Sequence, residues 1–150
     1  MASRVPPVVV TVGMAFLMFL VSRLTRPLPI APLFRYGLAI VLASLGAVLA
    51  ILAVCEFGKA QTSVNPLDLN RTRALVIEGV FRLSRNPMYV AMLLFLIAVG
   101  CMMASPLAIA VAFLFVPLIT RLQILPEERV LAERFGPDYI AYCREVRRWL

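Results

Sequence analysis

Four long apolar stretches, near residues 8–21, 36–55, 88–104 and 107–122, contain between them a single charged residue, Arg121. A chain that segregates its charge this way has few folds open to it. A membrane-spanning helix needs about 20 apolar residues, with a range of about 17–25. The stretch 36–55 reaches that length unaided, and the other three draw on flanking residues or on neighbouring helices. The pattern predicts an all-α integral membrane bundle of about four transmembrane helices, followed by a cytoplasmic C-terminal helical segment. The whole of 1–150 reads as one domain.

Composition supports a bilayer over water. The chain is 62% hydrophobic and 15% charged, where a soluble domain carries roughly 45–50% apolar and about 25% charged residues. That excludes a disordered tail and argues against an ordinary soluble enzyme. The net charge of +7 would raise nucleic acid as a partner, but there is no polar domain to present it. Histidine is absent, which removes imidazole general-base chemistry and imidazole-built metal sites. Cys55, Cys101 and Cys143 have no metal-ligand spacing and read as structural thiols, so no metal is expected.

Ser105-Pro106 separates the third and fourth stretches as the bend of a helical hairpin, with Pro106 in the first turn of the returning helix. Pro117 predicts a kink. Arg4 before the first stretch is compatible with a signal peptide, but Val21-Ser22-Arg23 offers no small-x-small cleavage site, so a retained helix is expected. With four spans, twelve of the fifteen basic residues share a face with both termini; Arg23, Arg26 and Arg35 lie opposite. Both termini are therefore expected in the cytoplasm, where the sequon Asn70-Arg71-Thr72 would be idle. No glycine-rich phosphate loop occurs.

Polar residues concentrate in 56–85 and from Arg121 onward. Asn86 and Pro87 suit the N-cap and first turn of the third helix, and Arg85 beside that positive helix end offers a fork for a carboxylate. The plainer reading is a cap and an arginine snorkelling to lipid. Farther on, Pro126-Glu127-Glu128 opens a helix that Gly136-Pro137 ends. Asp138 starts another, whose Tyr139, Tyr142, Cys143, Val146, Trp149 and Leu150 recur at helical spacing as an interfacial face, giving C-terminal helices over 126–150. Glu127 and Glu128, so close to a span, need pairing, and Arg121 and Arg85 are the candidates.

The run Phe81-x-x-x-Arg85-Asn86-Pro87-Met88-Tyr89, then Glu127-Glu128, then Phe135-Gly136-x-x-Tyr139-x-x-Tyr142, with Thr72-x-x-Leu75-Val76-x-x-Gly79 upstream, resembles the isoprenylcysteine carboxyl methyltransferase and phospholipid methyltransferase superfamily. The resemblance covers about residues 56–150. It implies an integral membrane enzyme that uses S-adenosylmethionine and takes a lipophilic small-molecule or prenylated acceptor laterally from the bilayer, with no nucleic acid or metal involved. It also implies cofactor contacts from Leu75 and Val76 through the backbone, from Phe81, and from Arg85, Asn86, Pro87, Met88 and Tyr89. Glu127 would lie near the cofactor's amino group, and Arg73 is a further candidate for the pocket. Glu127 and Arg121 are the candidate catalytic residues. Asn86 stands where the eukaryotic pattern has histidine, and Gln123 stands where it has an acceptor-binding arginine, so Gln123 is the candidate substrate contact.

Methyl transfer from a sulfonium needs alignment and desolvation more than acid–base catalysis. A carboxylate or thiolate acceptor is already nucleophilic; an amine would need a base such as Glu127 or Glu128. An aromatic face at Phe81 or Tyr89 could hold the sulfonium. Phospholipid N-methylation, an NADPH-dependent membrane reductase and a non-enzymatic membrane interaction protein remain as alternatives.

Overall fold

The structure, a computed structural model, describes residues 6–59 and 75–150. Arg4, Arg73 and the motif and sequon residues 70–72 lie outside that range. Helix α1 runs Pro7–Ser22, α2 Pro32–Lys59, α3 Pro87–Met102, α4 Pro106–Phe113, α5 Phe115–Ile119 and α6 Leu125–Glu145, with a short 3-10 turn at Gly79–Arg82. Among the described residues, two helical stretches are long and apolar enough to cross a membrane: α2, and the run Pro106–Glu145. At 16 residues each, α1 and α3 are apolar but about 24 Å long, against a hydrocarbon core of about 30 Å.

Packing follows the rules of a lipid environment. The buried residues of α2 are Ala39, Gly46 and Ala53, spaced by seven, while Ile40, Leu45, Val48, Ile51 and Leu52 stay exposed. Where lipid is as apolar as leucine, helices gain by close backbone approach, so small residues mark the contact. A Cβ on Gly46 would sit 3.1 Å from the Ala91 carbonyl of α3. The other face of α3 joins the main core, where Tyr89 and Leu96 meet Met14 and Met18 of α1 and Phe115 and Ile119 of α5.

The α3–α4 bend is tied at two points. Ser105 Oγ accepts from Ala108 N at 3.2 Å and caps α4. Ala104, at φ 48°, offers its carbonyl to Leu28 N at 2.9 Å.

Prolines shape the long final run. The helix breaks at Leu114, next to Phe113, whose carbonyl Pro117 can neither bond nor clear. Thr120–Ile124 then widens into a π turn. Pro126 lacks the N–H that Leu122 would receive, and the wider turn absorbs that mismatch. The turn buries Gln123 and Ile124.

One expectation for the C-terminus needs correction. The chain does kink at Gly136 (φ 50°, ψ −121°), but the second helical piece stops at Glu145, and Val146 is extended at φ −120°, ψ 134°. Trp149 and Leu150 therefore do not continue a helical face, and 146–150 forms a strap that turns back across the start of α3. Hydrogen bonds from Ser84, Arg85 and Asn86, just ahead of α3, to the strap's backbone outweigh the periodicity that suggested more helix.

Candidate functional site

Four elements meet at one end of the bundle: the segment 75–86, the first turn of α3, the first turn of α6, and the terminal strap. Leu75 and Val76 are partly buried in irregular chain. Leu75 packs with Tyr139, Tyr142 and Val146; Val76 packs with Ala53, Val80 and Phe81. Gly79 then turns the chain at φ +58° beneath the Glu56 side chain, a conformation that glycine adopts without a Cβ penalty. That turn drives Phe81 inward against Phe57, with ring centroids 5.2 Å apart. The Tyr142 hydroxyl donates to the Phe81 carbonyl at 2.7 Å; burial pushes that phenol's pKa up, so it stays a donor.

Asn86 occupies the N-cap position of α3 but makes no side-chain cap bond. Its Nδ2 instead donates to the Arg148 carbonyl at 2.9 Å, while its own N–H goes to Ser84 Oγ at 3.1 Å. The expected capping role is thus replaced by a hold on the strap. Pro87 is buried in the first turn, and Met88 packs beside Phe81.

The two adjacent acids have different surroundings. Tyr89, 6% exposed, donates its hydroxyl to Glu127 Oε1 at 2.7 Å. Glu127 lies past the apolar stretch that ends at 122, yet burial pushes its pKa up to about 7; the Tyr89 bond works against this and the Glu128 charge adds to it. Glu128 is gripped by two arginines. The Arg148 guanidinium forks onto it at 2.9 and 2.7 Å, and Arg85 Nη1 reaches it at 3.2 Å. Arg85 also donates to Cys143 Sγ, and its buried Nε has no hydrogen-bond partner among the described residues.

Of the sequence-predicted residues, the fold gathers Arg85, Asn86, Pro87, Met88, Tyr89 and Glu127 at one place, with Phe81, Leu75 and Val76 on its flank. Arg85 pairs with an acid as anticipated. Arg121 does not: it is exposed on the π turn, and no ion pair from it to either acid occurs among the described residues, because that turn carries it away from them. Gln123 is buried, 2% exposed, four residues before Glu127. The sequence reading missed Arg148, Ser84 and Tyr142 as partners. No local spacing announces Arg148, which lies 20 residues from Glu128 and reaches it across the Gly136 kink.

A buried carboxylate whose charged neighbour is another acid suits an incoming cation. An arginine Nε left unpaired suits a carboxylate. A ligand carrying both an ammonium and a carboxylate therefore fits these residues.

A family model described as phospholipid methyltransferase matches residues 34–138. Protein-S-isoprenylcysteine O-methyltransferase B of Arabidopsis thaliana is 29% identical over 113 residues, covering 75% of this chain and 56% of that protein. A probable protein-S-isoprenylcysteine O-methyltransferase of Oryza sativa subsp. indica is 29% identical over 111 residues, 74% of this chain and 58% of the relative. An uncharacterized protein of Haemophilus influenzae is 38% identical over 63 residues, 42% of this chain and all of that one. The chain thus spans little more than half the length of the plant relatives. No solved structure matches.

Proposed function

Because this chain belongs to the phospholipid methyltransferase family, we propose that it is an S-adenosylmethionine-dependent membrane methyltransferase acting on the carboxylate of a prenylated cysteine. The plant relatives' names support that acceptor. In this reading the single domain crosses the bilayer several times, and both termini and the site lie on the cytoplasmic side. The observation that carries it is the 2.7 Å bond from Tyr89 to Glu127, which joins the first turn of α3 to the first turn of α6 beside an arginine with an unpaired Nε.

When bound, S-adenosylmethionine supplies the electrophilic methyl group. Glu127, oriented by the Tyr89 hydroxyl, would hold the cofactor's ammonium. Arg85 Nε would take its carboxylate, and the backbone of Leu75 and Val76 and the side chains of Phe81 and Met88 would border the rest. Asn86 contributes by placing the strap rather than by direct contact. Gln123 and Arg121 flank the approach of the acceptor. A carboxylate acceptor needs no base, which suits a site without histidine; exclusion of water and alignment do the remaining work.

The test uses the full chain purified in detergent with methyl-labelled S-adenosylmethionine. A farnesylcysteine analogue should acquire label that alkali releases as methanol, the mark of an ester, whereas label appearing alkali-stable on phosphatidylethanolamine would replace this acceptor with an amine. No transfer to either, together with no thermal stabilisation by S-adenosylhomocysteine, would refute the reading.

A further inference from the structure

The most connected residue at this end of the bundle lies on the terminal strap. Its guanidinium and its carbonyl hold different elements. Arg148 forks onto Glu128 at 2.9 and 2.7 Å, a two-pronged geometry that is both strong and directional. The same residue's carbonyl accepts from Asn86 Nδ2 at 2.9 Å and from Ser84 Oγ at 3.4 Å. On either side of it, Arg147 O accepts from Arg85 N at 3.0 Å, and Trp149 Nε1 donates to Thr120 Oγ1 at 3.2 Å. The strap is thereby stitched to the start of α3 and to the π turn before α6.

This arrangement separates the two acids. Glu128 is neutralised by Arg148 and Arg85, while among the described residues Glu127 has the Tyr89 hydroxyl as its partner and remains available to a cation. It also shares Arg85 between partners, because a Glu128 satisfied by Arg148 leaves Arg85 Nε unengaged.

We propose that Arg148 is a positioning residue for cofactor binding: its clasp on Glu128 and Asn86 closes the strap across the start of α3 and leaves Glu127 and the Arg85 Nε free to receive the cofactor's charged groups. This rests on the methyltransferase reading above. Loss of the clasp opens the strap, releases Asn86, and lets Arg85 turn wholly to Glu128. The deficit falls on cofactor affinity.

The experiment compares wild type, Arg148→Ala, Arg148→Lys and Glu128→Gln in detergent, with two readouts. Hydrogen exchange of a peptide spanning residues 82–90 reports the Arg85 amide, which the strap protects, without any cofactor. Titration with S-adenosylhomocysteine reports binding. Arg148→Ala and Glu128→Gln should exchange faster and bind about tenfold more weakly, the effect of losing one charge-assisted anchor; Arg148→Lys should recover part of both. Unchanged exchange in Arg148→Ala would overturn the clasp. Faster exchange with unchanged binding would overturn the positioning role. Absence of binding by wild type would overturn the functional reading and the positioning role together, and the exchange data would tell that failure from a failure of the clasp.

Discussion

Glu127 gives the protein a pH dependence whose sign can be worked out from its surroundings. Burial holds this carboxyl at about 7, against an ordinary value of 4.5. Below 4.5 it is protonated whether the chain is folded or unfolded, and stability does not change with pH on its account. Between 4.5 and 7 the unfolded chain gives up the proton while the folded one retains it, so the folded state binds more protons and loses stability as pH rises. Above 7 the loss is complete. A gap of about two and a half pH units, at about 1.4 kcal/mol each, amounts to about 3 kcal/mol. Cofactor binding should run the other way, because an incoming ammonium favours the ionised carboxylate: affinity should climb with pH up to about 7 and then level off. The assay is urea or thermal unfolding in mild detergent from pH 4.5 to 8, with a parallel S-adenosylhomocysteine titration. In Glu127→Gln both curves should flatten, and that variant should be the more stable protein at pH 8. In Tyr89→Phe, which removes a bond that favours the ionised form, both midpoints should move to higher pH. Wild-type and Glu127→Gln profiles that superimpose would refute the account of a desolvated acid.

Gly79→Ala places a Cβ 2.7 Å from Glu56 Oε1 at φ +58° and should cost about 1–2 kcal/mol, read as a lower Tm; adding Glu56→Ala should restore only part, since the backbone penalty remains. Tyr142→Phe strands the buried Phe81 carbonyl and should cost about 1–3 kcal/mol by the same measurement. Gly100→Ala sets a Cβ 2.7 Å from Ile109 Cγ1 and 3.3 Å from its backbone, so it should loosen the α3–α4 hairpin by about 1–3 kcal/mol, visible as faster proteolysis near Ser105.

Much of this protein is legible along the chain because the governing signals are local. Uncharged apolar runs mark the helices, Pro87 and Pro106 mark two helix starts, and Gly136-Pro137 marks the kink. The motif from Arg85 to Tyr89 and the acids at 127 and 128 are readable as a group. What misled at the C-terminus was periodicity without partners: Val146 and Trp149 sit at helical spacing, yet backbone bonds to Arg85 and Asn86 decide that stretch. Likewise Asn86 has the right chemistry for a cap, but the Arg148 carbonyl lies within its reach and takes its amide.

The sequence by itself determined that this chain is helical and built for a bilayer, and it placed the candidate chemistry at residues 75–89 and 127–128. The first property follows from transfer free energies and backbone geometry that each segment carries alone; the second is what the resemblance to the methyltransferase superfamily implies. Only the tertiary structure decided how the two acids differ. Glu127 and Glu128 are indistinguishable as letters; they diverge because helical geometry points neighbouring side chains about 100° apart, one toward the buried Tyr89 and the other toward Arg85 and Arg148. Charge pairing and desolvation depend on which groups meet across the fold, and no single segment contains that information.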